Sequence, residues 1–157
     1  NHDESAKMSP TKEFGDIRGS MAAFVLTTYL HGGALIYGSQ EAGYPEAINF
    51  FTYVPVDWTG NSELYQEYCR LMALYNEYPA IRKGGLTTYP QPDVLLFEKQ
   101  DGKDRVLVAV NVRNREVNVT LPQEWNGHPS RDMYSGTEKK LEAELSLCPY
   151  QYRIFKY

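Results

Sequence analysis

Residues 93–112 read DVLLFEKQDGKDRVLVAVNV. Two runs rich in apolar and β-branched side chains, residues 94–98 and 105–112, lie on either side of the dipeptide Asp101-Gly102. Such a dipeptide is a strong hairpin signal, because glycine accepts the positive φ angle that a tight turn needs. This stretch therefore predicts two antiparallel strands joined by a short turn.

The sequence downstream of this hairpin predicts more short strands. Residues 116–121 alternate between polar and apolar side chains, with Val117, Val119 and Leu121 on one face. We expect further strands at about residues 131–134, 140–145 and 152–157. Together these patterns indicate an antiparallel all-β module, a small β-sandwich, over residues 85–157.

A first unit, residues 1–84, has helical rather than alternating periodicity, and the pair Gly84-Gly85 marks its predicted boundary with the β-module. Asp16 is a predicted helix N-cap, and apolar side chains follow it at helical spacing as far as the glycines at 32–33. The continuous apolar run 34–37 predicts a short parallel strand covered on both faces. This order of helix, glycine turn and buried strand is typical of α/β proteins.

A long loop and a second helix complete the first unit. Residues 39–61 hold five aromatic side chains and two prolines, which favours an ordered loop over a disordered one. A second apolar stripe at helical spacing begins near Asn61-Ser62 and ends at Tyr78-Pro79. The start of the chain, residues 1–15, is polar and without periodicity, and is predicted to be a loop.

Composition limits the classes of partner. A formal net charge of -4 without a basic run argues against nucleic acid. No apolar run approaches the roughly 20 residues needed to span a membrane, so no membrane is expected either.

Cys69 and Cys148 lie far apart without metal-ligand spacing, which predicts free, partly buried thiols and no metal site. The 13 tyrosines suit sugar-binding sites, but β-sandwich cores explain them as well.

Two short motifs carry a family resemblance. Asn1-His2-Asp3 resembles the fourth conserved region of the α-amylase family of glycoside hydrolases (glycoside hydrolase family 13). Residues 33–41, GALIYGSQE, resemble the eighth barrel strand of that family, which commonly reads Pro-x-Ile-Tyr-Tyr-Gly-x-Glu. Here Gly33-Ala34 stands where proline is often found, and one tyrosine precedes Gly38 instead of two. The order of motif, helix, strand, terminal helix and β-module matches over essentially the whole chain.

The resemblance implies an α/β plus all-β protein. Residues 1–84 would be the last portion of a (β/α)8 catalytic barrel, with its eighth helix beginning near Ser62. Residues 85–157 would be the antiparallel β-sandwich called domain C. The parent protein would be a retaining glycoside hydrolase that acts on α-glucans, in which two carboxylates act across an oxocarbenium-like transition state.

The resemblance also implies roles for the first three residues. Asp3 would be a third carboxylate, which stabilises the transition state by hydrogen bonding to sugar hydroxyls. His2 would bind the same sugar, and Asn1 is a further substrate-binding candidate beside it. The alternatives are structural, since Asp3 could be a turn or helix-end carboxylate and His2 a surface loop histidine.

Three residues near the predicted eighth strand are additional candidates. Tyr44 and Trp58 follow that strand on the face of the active site, where aromatic rings can stack on glucose units. Packing within the long loop would explain each of them equally well. Glu41 is expected to have a buried structural role near the site, paired with a neighbouring arginine, rather than a catalytic one.

The nucleophile aspartate and the acid/base glutamate of this family come from the fourth and fifth barrel strands, and neither strand is found in this sequence. We therefore expect an α-amylase-type parent enzyme and no catalysis by this chain alone. The expected ligand is an α-glucan or maltooligosaccharide. Exposed apolar faces of a barrel portion would be covered by self-association or by the remaining barrel. No cofactor is expected in this chain, and calcium is left open for the parent protein.

An alternative from a different class is a carbohydrate-binding or structural β-sandwich module without catalysis, with the helical part attached to it. Retention of the β-module on starch would favour that alternative. An upstream stretch with the nucleophile and acid/base motifs would favour the enzyme. For location, a secreted or periplasmic protein is favoured over a cytoplasmic one.

Overall fold

The computed structural model describes residues 1–157. The helices are α1 (His2–Ser5), α2 (Pro10–Glu13), α3 (Ile17–Tyr29), α4 (Ser62–Glu77) and α5 (Pro79–Lys83), with a 3-10 turn at Gln40–Ala42. The strands are β1 (Gly85–Tyr89), β2 (Val94–Asp101), β3 (Asp104–Asn111), β4 (Val117–Thr120), β5 (Pro129–Asp132), β6 (Glu138–Lys140), β7 (Glu144–Leu147) and β8 (Tyr152–Lys156).

The strands form two antiparallel sheets. The larger sheet has six strands in the order β1-β2-β3-β8-β5-β6, and the smaller one pairs β4 with β7. Every pairing in both sheets is antiparallel. The predicted antiparallel β-module is therefore confirmed.

The predicted hairpin is also confirmed. Val94 pairs with Asn111 at one end of β2 and β3, and Asp101 pairs with Asp104 at the other. Only two residues connect the strands, and Gly102, the first of them, has a φ of 60°. Most other residues would be strained at that angle, which explains why an Asp-Gly pair marks this turn.

Two hydrophobic cores lie on opposite faces of the six-stranded sheet. On β3, Val106, Val108 and Val110 pack into the core that contains the helices. Leu107 and Ala109 of the same strand pack into the core that contains β4 and β7. Successive side chains of a strand point to opposite faces, so a strand buried on both faces reads as an unbroken apolar run. The molecule thus has three layers: helices, large sheet and small sheet.

The two long helices begin where the sequence predicts, α3 after the predicted N-cap Asp16 and α4 after Asn61. The carboxylate of Asp16 accepts a hydrogen bond from the backbone N–H of Gly19 at 2.8 Å, at the start of α3. The amide oxygen of Asn61 accepts one from the N–H of Leu64 at 3.1 Å, at the start of α4. Each cap satisfies one of the N–H groups that a helix leaves without an internal partner. No helix in the structure has both the length and the apolar character needed to cross a membrane.

The predicted parallel strand at residues 34–37 is wrong. These residues have no regular secondary structure, and the side chains of Leu35 and Ile36 are 59 % and 36 % exposed. A strand needs a neighbour for its backbone N–H and C=O groups, and no strand of this chain pairs with this run. The apolar run predicts a buried strand, but in this structure no other strand pairs with it.

Some predicted boundaries are also wrong. Residues 1–15 are not all loop, because α1 and α2 form two single helical turns there. The predicted strand at 140–145 is two strands, β6 and β7, of different sheets. Leu141 lies between them with its side chain buried in the second core, and such a change of sheet is invisible to alternation alone.

Candidate functional site

The first residues of the chain place an imidazole beside a carboxylate. The side chain of Asn1 accepts hydrogen bonds from the N–H groups of Asp3 and Glu4, at 3.0 and 3.2 Å, and so caps α1. His2 Nε2 lies 3.2 Å from Asp3 Oδ1, and the two side chains are 62 % and 67 % exposed. Both therefore present hydrogen-bonding atoms to solvent from one short helix.

Two aromatic rings flank the imidazole. The ring of Tyr37 lies edge-on to His2 with 6.0 Å between the ring centres, and Phe50 lies 5.9 Å away at a tilt of 47°. We call His2, Asp3, Tyr37 and Phe50 the N-terminal cluster. Sequence reasoning did not single out Tyr37 or Phe50 as neighbours of His2. The one available signal was that Tyr37 is the only aromatic residue in the GALIYGSQE motif.

Hydrogen bonds between the start of the chain and the long loop hold this cluster together. The N–H of Ile48 donates to the carbonyl of Ser5 at 2.8 Å. The hydroxyl of Ser9 donates to the carbonyl of Pro45, also at 2.8 Å. Lys12 Nζ lies 2.6 Å from Glu46 Oε2. Residues 45–48 are thus fastened to the first two helices, which places Phe50 beside His2.

The other two predicted aromatic residues lie elsewhere. Tyr44 is half-buried and lines a cavity of only about 10 Å³ together with Ser5 and Tyr37. Trp58 is 61 % exposed. Neither ring stacks on His2 or on another aromatic ring. Their substrate-binding roles stay predictions.

Glu41 lies in the 3-10 turn, and the expected arginine partner is absent. Its Oε2 atom is buried and has no hydrogen-bond partner. Its negative charge acts on the nearby phenol of Tyr68. Burial, with Glu41 adding to it, raises the pKa of Tyr68 to about 12, against the opposing effect of a 3.0 Å hydrogen bond from Gln40 Nε2. The proposed structural role of Glu41 stays a prediction.

The chemistry available in the N-terminal cluster is that of hydrogen bonding. Asp3 offers acceptor oxygens, and His2 offers a ring nitrogen that donates or accepts according to its tautomer. The next carboxylate on α1, Glu4, is engaged by Lys7 with 3.0 Å between Oε1 and Nζ. No three His, Cys, Asp or Glu side chains in the structure are grouped to hold a metal ion. The cluster thus offers hydrogen-bonding atoms of His2 and Asp3 next to the aromatic surface of Tyr37 and Phe50.

Comparisons with known proteins address both parts of the chain. A family model described as the C-terminal domain of maltogenic amylase matches residues 86–154. A cyclomaltodextrinase of Geobacillus thermopakistaniensis (strain MAS1) is 27 % identical over 152 residues, which cover 90 % of this chain and 26 % of that protein. The chain thus spans about a quarter of the length of this relative.

Solved structures show the same fold. The crystal structure of AmyP in complex with maltose matches 91 % of this chain and 34 % of its own, with a TM-score of 0.70 and 17 % identity. A variant of trehalulose synthase MutB matches 61 % of this chain and 18 % of its own, with a TM-score of 0.53 and 24 % identity. With the family model and the cyclomaltodextrinase, these matches support the resemblance of the chain to the C-terminal portion of α-amylase family enzymes (glycoside hydrolase family 13).

Proposed function

We propose that this chain is the C-terminal part of a retaining α-glucan-acting glycoside hydrolase, in which Asp3 stabilises the transition state and His2 binds the substrate. Residues 1–84 are then the last portion of the catalytic barrel, and residues 85–157 are domain C. The nucleophile and the acid/base belong to the rest of the parent enzyme. Calcium binding stays open for that enzyme, and nothing in this mechanism depends on it.

The observation that carries the proposal is the side-by-side placement of His2 and Asp3, with two aromatic rings next to His2. The 3.2 Å between His2 Nε2 and Asp3 Oδ1 lets both atoms reach neighbouring hydroxyls of one sugar. The rings of Tyr37 and Phe50, at 6.0 and 5.9 Å from the imidazole, supply apolar surface beside these polar atoms. Aromatic side chains with a few fixed polar groups are the usual lining of a small-molecule site.

The chemical role of Asp3 follows from where charge develops. The transition state of a retaining glycosidase resembles an oxocarbenium ion, so a nearby carboxylate stabilises it more than the neutral ground state. Asp3 also accepts hydrogen bonds from sugar hydroxyls, which strengthen as the ring distorts. Neither role breaks the glycosidic bond, because cleavage requires a nucleophile and an acid/base, two further carboxyl groups about 5 Å apart. The isolated chain is therefore expected to bind sugar without cleaving it.

The β-sandwich alone is a weaker candidate for the glucan-binding unit. Its large ring systems are already packed: Trp125 is fully buried, and Tyr157 stacks on His128 with 3.5 Å between ring centres. The guanidinium of Arg105 lies 4.7 Å from the centre of the Tyr157 ring. Of these two rings only that of Tyr157 is partly exposed, and it is already stacked on His128.

Titration of the purified chain with maltoheptaose, followed by NMR of the His2 ring and the Asp3 amide, tests the proposal. We expect shifts of both signals in the native chain and their loss in Asp3→Asn. Glu4→Gln is the matched control, because it removes a neighbouring carboxylate of the same short helix that is engaged by Lys7. Unchanged shifts in Asp3→Asn would contradict the role of Asp3. Turnover of starch or a nitrophenyl maltoside above blank would contradict the assignment of the nucleophile and acid to the rest of the enzyme.

A further inference from the structure

A groove of about 670 Å³ opens between the helices and the end of the sandwich, and it shares no residue with the N-terminal cluster. Its walls come from the first turns of α3 and α4, from the turn after β5, and from residues 148–153. This volume lies within the range of roughly 300–1,000 Å³ that small-molecule sites occupy. The groove is therefore large enough for a short oligosaccharide.

The backbone at Tyr150 is the unusual feature of this groove. Tyr150 is the only residue other than glycine with a positive φ, at 57°. It is the third residue of a turn closed by the hydrogen bond from the N–H of Gln151 to the carbonyl of Cys148, at 3.0 Å. With Pro149 as second residue, a turn with positive φ at the third position strongly favours glycine there. A bulky side chain at such an angle costs free energy and points to a use for that side chain.

The Tyr150 ring reaches from the sandwich towards the helical layer. Its hydroxyl lies against Gly15, where a Cβ atom would come within 3.2 Å of it. The ring is only partly buried and lines the groove. The side chain thus spans the joint between the sandwich and the loop before α3, and part of its surface stays open to solvent.

Most charged side chains around this ring are paired, and their charges nearly balance. Tyr152 donates to the carboxylate of Glu67, and Arg153 pairs with Asp132. Glu63 also lines the groove and has no ion-pair or hydrogen-bond partner in the structure. Counted with Arg18, the lining holds two guanidinium groups and three carboxylates, a balance that suits a neutral ligand better than an anion.

A second tyrosine adds aromatic surface held in place by its neighbours. The guanidinium of Arg70 lies 4.7 Å from the centre of the Tyr134 ring. The ring of Tyr152 meets Tyr134 edge-on at 5.9 Å. Rings fixed in this way lose little side-chain entropy on binding, which favours a ligand with apolar C–H faces and polar edges. A pyranose has both.

We propose that this groove binds an α-linked glucan chain, with the Tyr150 ring as its stacking platform and the Glu63 carboxylate as an acceptor for sugar hydroxyls. The choice of an α-glucan rests on the proposed function, whereas the site itself rests on the groove and on the turn at Tyr150. The groove would hold a glucan chain without acting on it.

The substitution Tyr150→Gly separates a binding role from a structural one. It removes the ring and gives the turn the residue that its backbone favours, and relief of the strain at the positive φ offsets the lost packing of the ring against the helical core, so the variant should fold with a nearly unchanged Tm. If Tyr150 served only to stabilise the fold through its contact with Gly15, the variant would instead unfold at a lower temperature and bind glucan as before. Tyr150→Phe keeps the ring, and Tyr65→Ala removes a half-exposed ring of α4 that does not line the groove.

The experiment is a titration of the ¹⁵N-labelled chain with maltoheptaose, with cellohexaose as the matched β-linked probe. We expect amide shifts in residues 61–67, 132–135 and 148–153, and weaker or no shifts with cellohexaose. Tyr150→Gly should weaken this binding by roughly tenfold or more, while Tyr150→Phe and Tyr65→Ala should not. Native affinity in Tyr150→Gly, or saturable binding of peptides but not glucan in the groove, would overturn the inference.

The same titration distinguishes this inference from the proposed function. Shifts confined to His2 and Asp3 would retain the proposed function and overturn the groove site. Shifts confined to the groove, unaffected by Asp3→Asn, would support the groove site and count against the role of Asp3. An absence of shifts in both places would overturn both.

Discussion

Lys99 Nζ donates a hydrogen bond to the backbone carbonyl of Leu30 at 3.3 Å, and so joins strand β2 to the C-terminal end of α3. The Lys99 side chain is 1 % exposed, and burial lowers its pKa because water no longer solvates the ammonium. A cation at a helix C-terminus also interacts favourably with the carbonyl groups that the helix leaves unpaired. The contact is thus specific in geometry but costly in desolvation.

Replacing this lysine should change how stability depends on pH. Because the pKa of Lys99 is lower in the folded chain than in the unfolded chain, the unfolded state binds more protons between the two values. The native free energy of unfolding should therefore gain a contribution as pH rises through the folded pKa towards 10.5. Lys99→Met lacks this gain, so its stability relative to the native chain should fall over that range. Urea unfolding of both proteins from pH 7 to 10.5 measures the difference in their free energies of unfolding. A difference that stays constant over this pH range would contradict the prediction.

A buried carboxylate organises the other side of the sandwich. Glu98 is 3 % exposed and accepts two hydrogen bonds from Arg105, at 2.7 and 2.8 Å, and one from Trp125 Nε1 at 2.7 Å. Glu98→Gln would leave the Arg105 charge without its bidentate partner, which should cost about 3–5 kcal/mol in the free energy of unfolding. Glu124→Gln is the control, because Glu124 lies 3.9 Å from Arg105 at the surface and should contribute less than about 1 kcal/mol. Equal losses in the two variants, by chemical denaturation, would contradict this assignment.

The same carboxylate should make the chain sensitive to acid. Burial alone raises the pKa of Glu98, but the hydrogen bonds from Arg105, Trp125 and Tyr89 outweigh it and hold the pKa below 4.5. The folded pKa is thus below the unfolded one, and the stabilisation is complete above the unfolded value. It is lost as pH falls through the folded pKa. Between pH 5 and 2, we expect a steeper loss of stability in the native chain than in Glu98→Gln, and parallel curves would show that Glu98 does not titrate in this way.

A hydroxyl buried between the two long helices gives a simpler test of their packing. Tyr29 is fully buried, and its hydroxyl donates to the carbonyl of Leu71 at 2.7 Å. Tyr29→Phe keeps the ring and removes this bond, which should lower the free energy of unfolding by about 1–2 kcal/mol. Tyr53→Phe, at a side chain that is 91 % exposed, should change it by less than about 0.5 kcal/mol. Thermal denaturation of both variants compares the two effects, and a neutral Tyr29→Phe would show that this hydroxyl does not couple the helices.

The sequence predicts those parts of the fold whose partners lie nearby in the chain. The β2–β3 hairpin, the cap at Asp16 and the start of α4 near Asn61 depend on neighbouring residues, and each is found where expected. The run at 34–37 is predicted as a strand because it is apolar, but strand formation needs a hydrogen-bonding neighbour. The local pattern therefore predicts the secondary-structure propensity of a segment, but not whether a second strand is there to pair with it.

The candidate site shows the same division. His2 and Asp3 are adjacent in the sequence, so their pairing follows from position alone. Phe50 reaches His2 because residues 45–48 are held against α1 and α2 by contacts across more than 30 residues. Tyr37 also meets His2 from a distant part of the sequence. The strained turn at Tyr150 was likewise not predicted, because Pro149 favours a turn but nothing local places a tyrosine at a positive φ.

The long loop and the irregular run 34–37 carry several exposed apolar side chains. Leu35, Phe51 and Tyr53 are 59 %, 93 % and 91 % exposed, and Phe50 is 46 % exposed. Where such side chains lie together on the surface of a soluble protein, they often mark an interaction site. In the proposed parent enzyme, the remaining barrel would cover Leu35, Phe51 and Tyr53.

The chain on its own is therefore expected to self-associate through these exposed apolar side chains. Sedimentation velocity at increasing concentration should show a rising weight-average mass for the native chain. Phe51→Ser with Tyr53→Ser should reduce the association without lowering Tm, because both side chains are almost fully exposed and contribute little to the folded core. Tyr65→Ser, which removes a half-exposed ring of α4, is the control and should leave the association unchanged. A native chain that remains monomeric at high concentration would show that its exposed apolar side chains do not cause self-association.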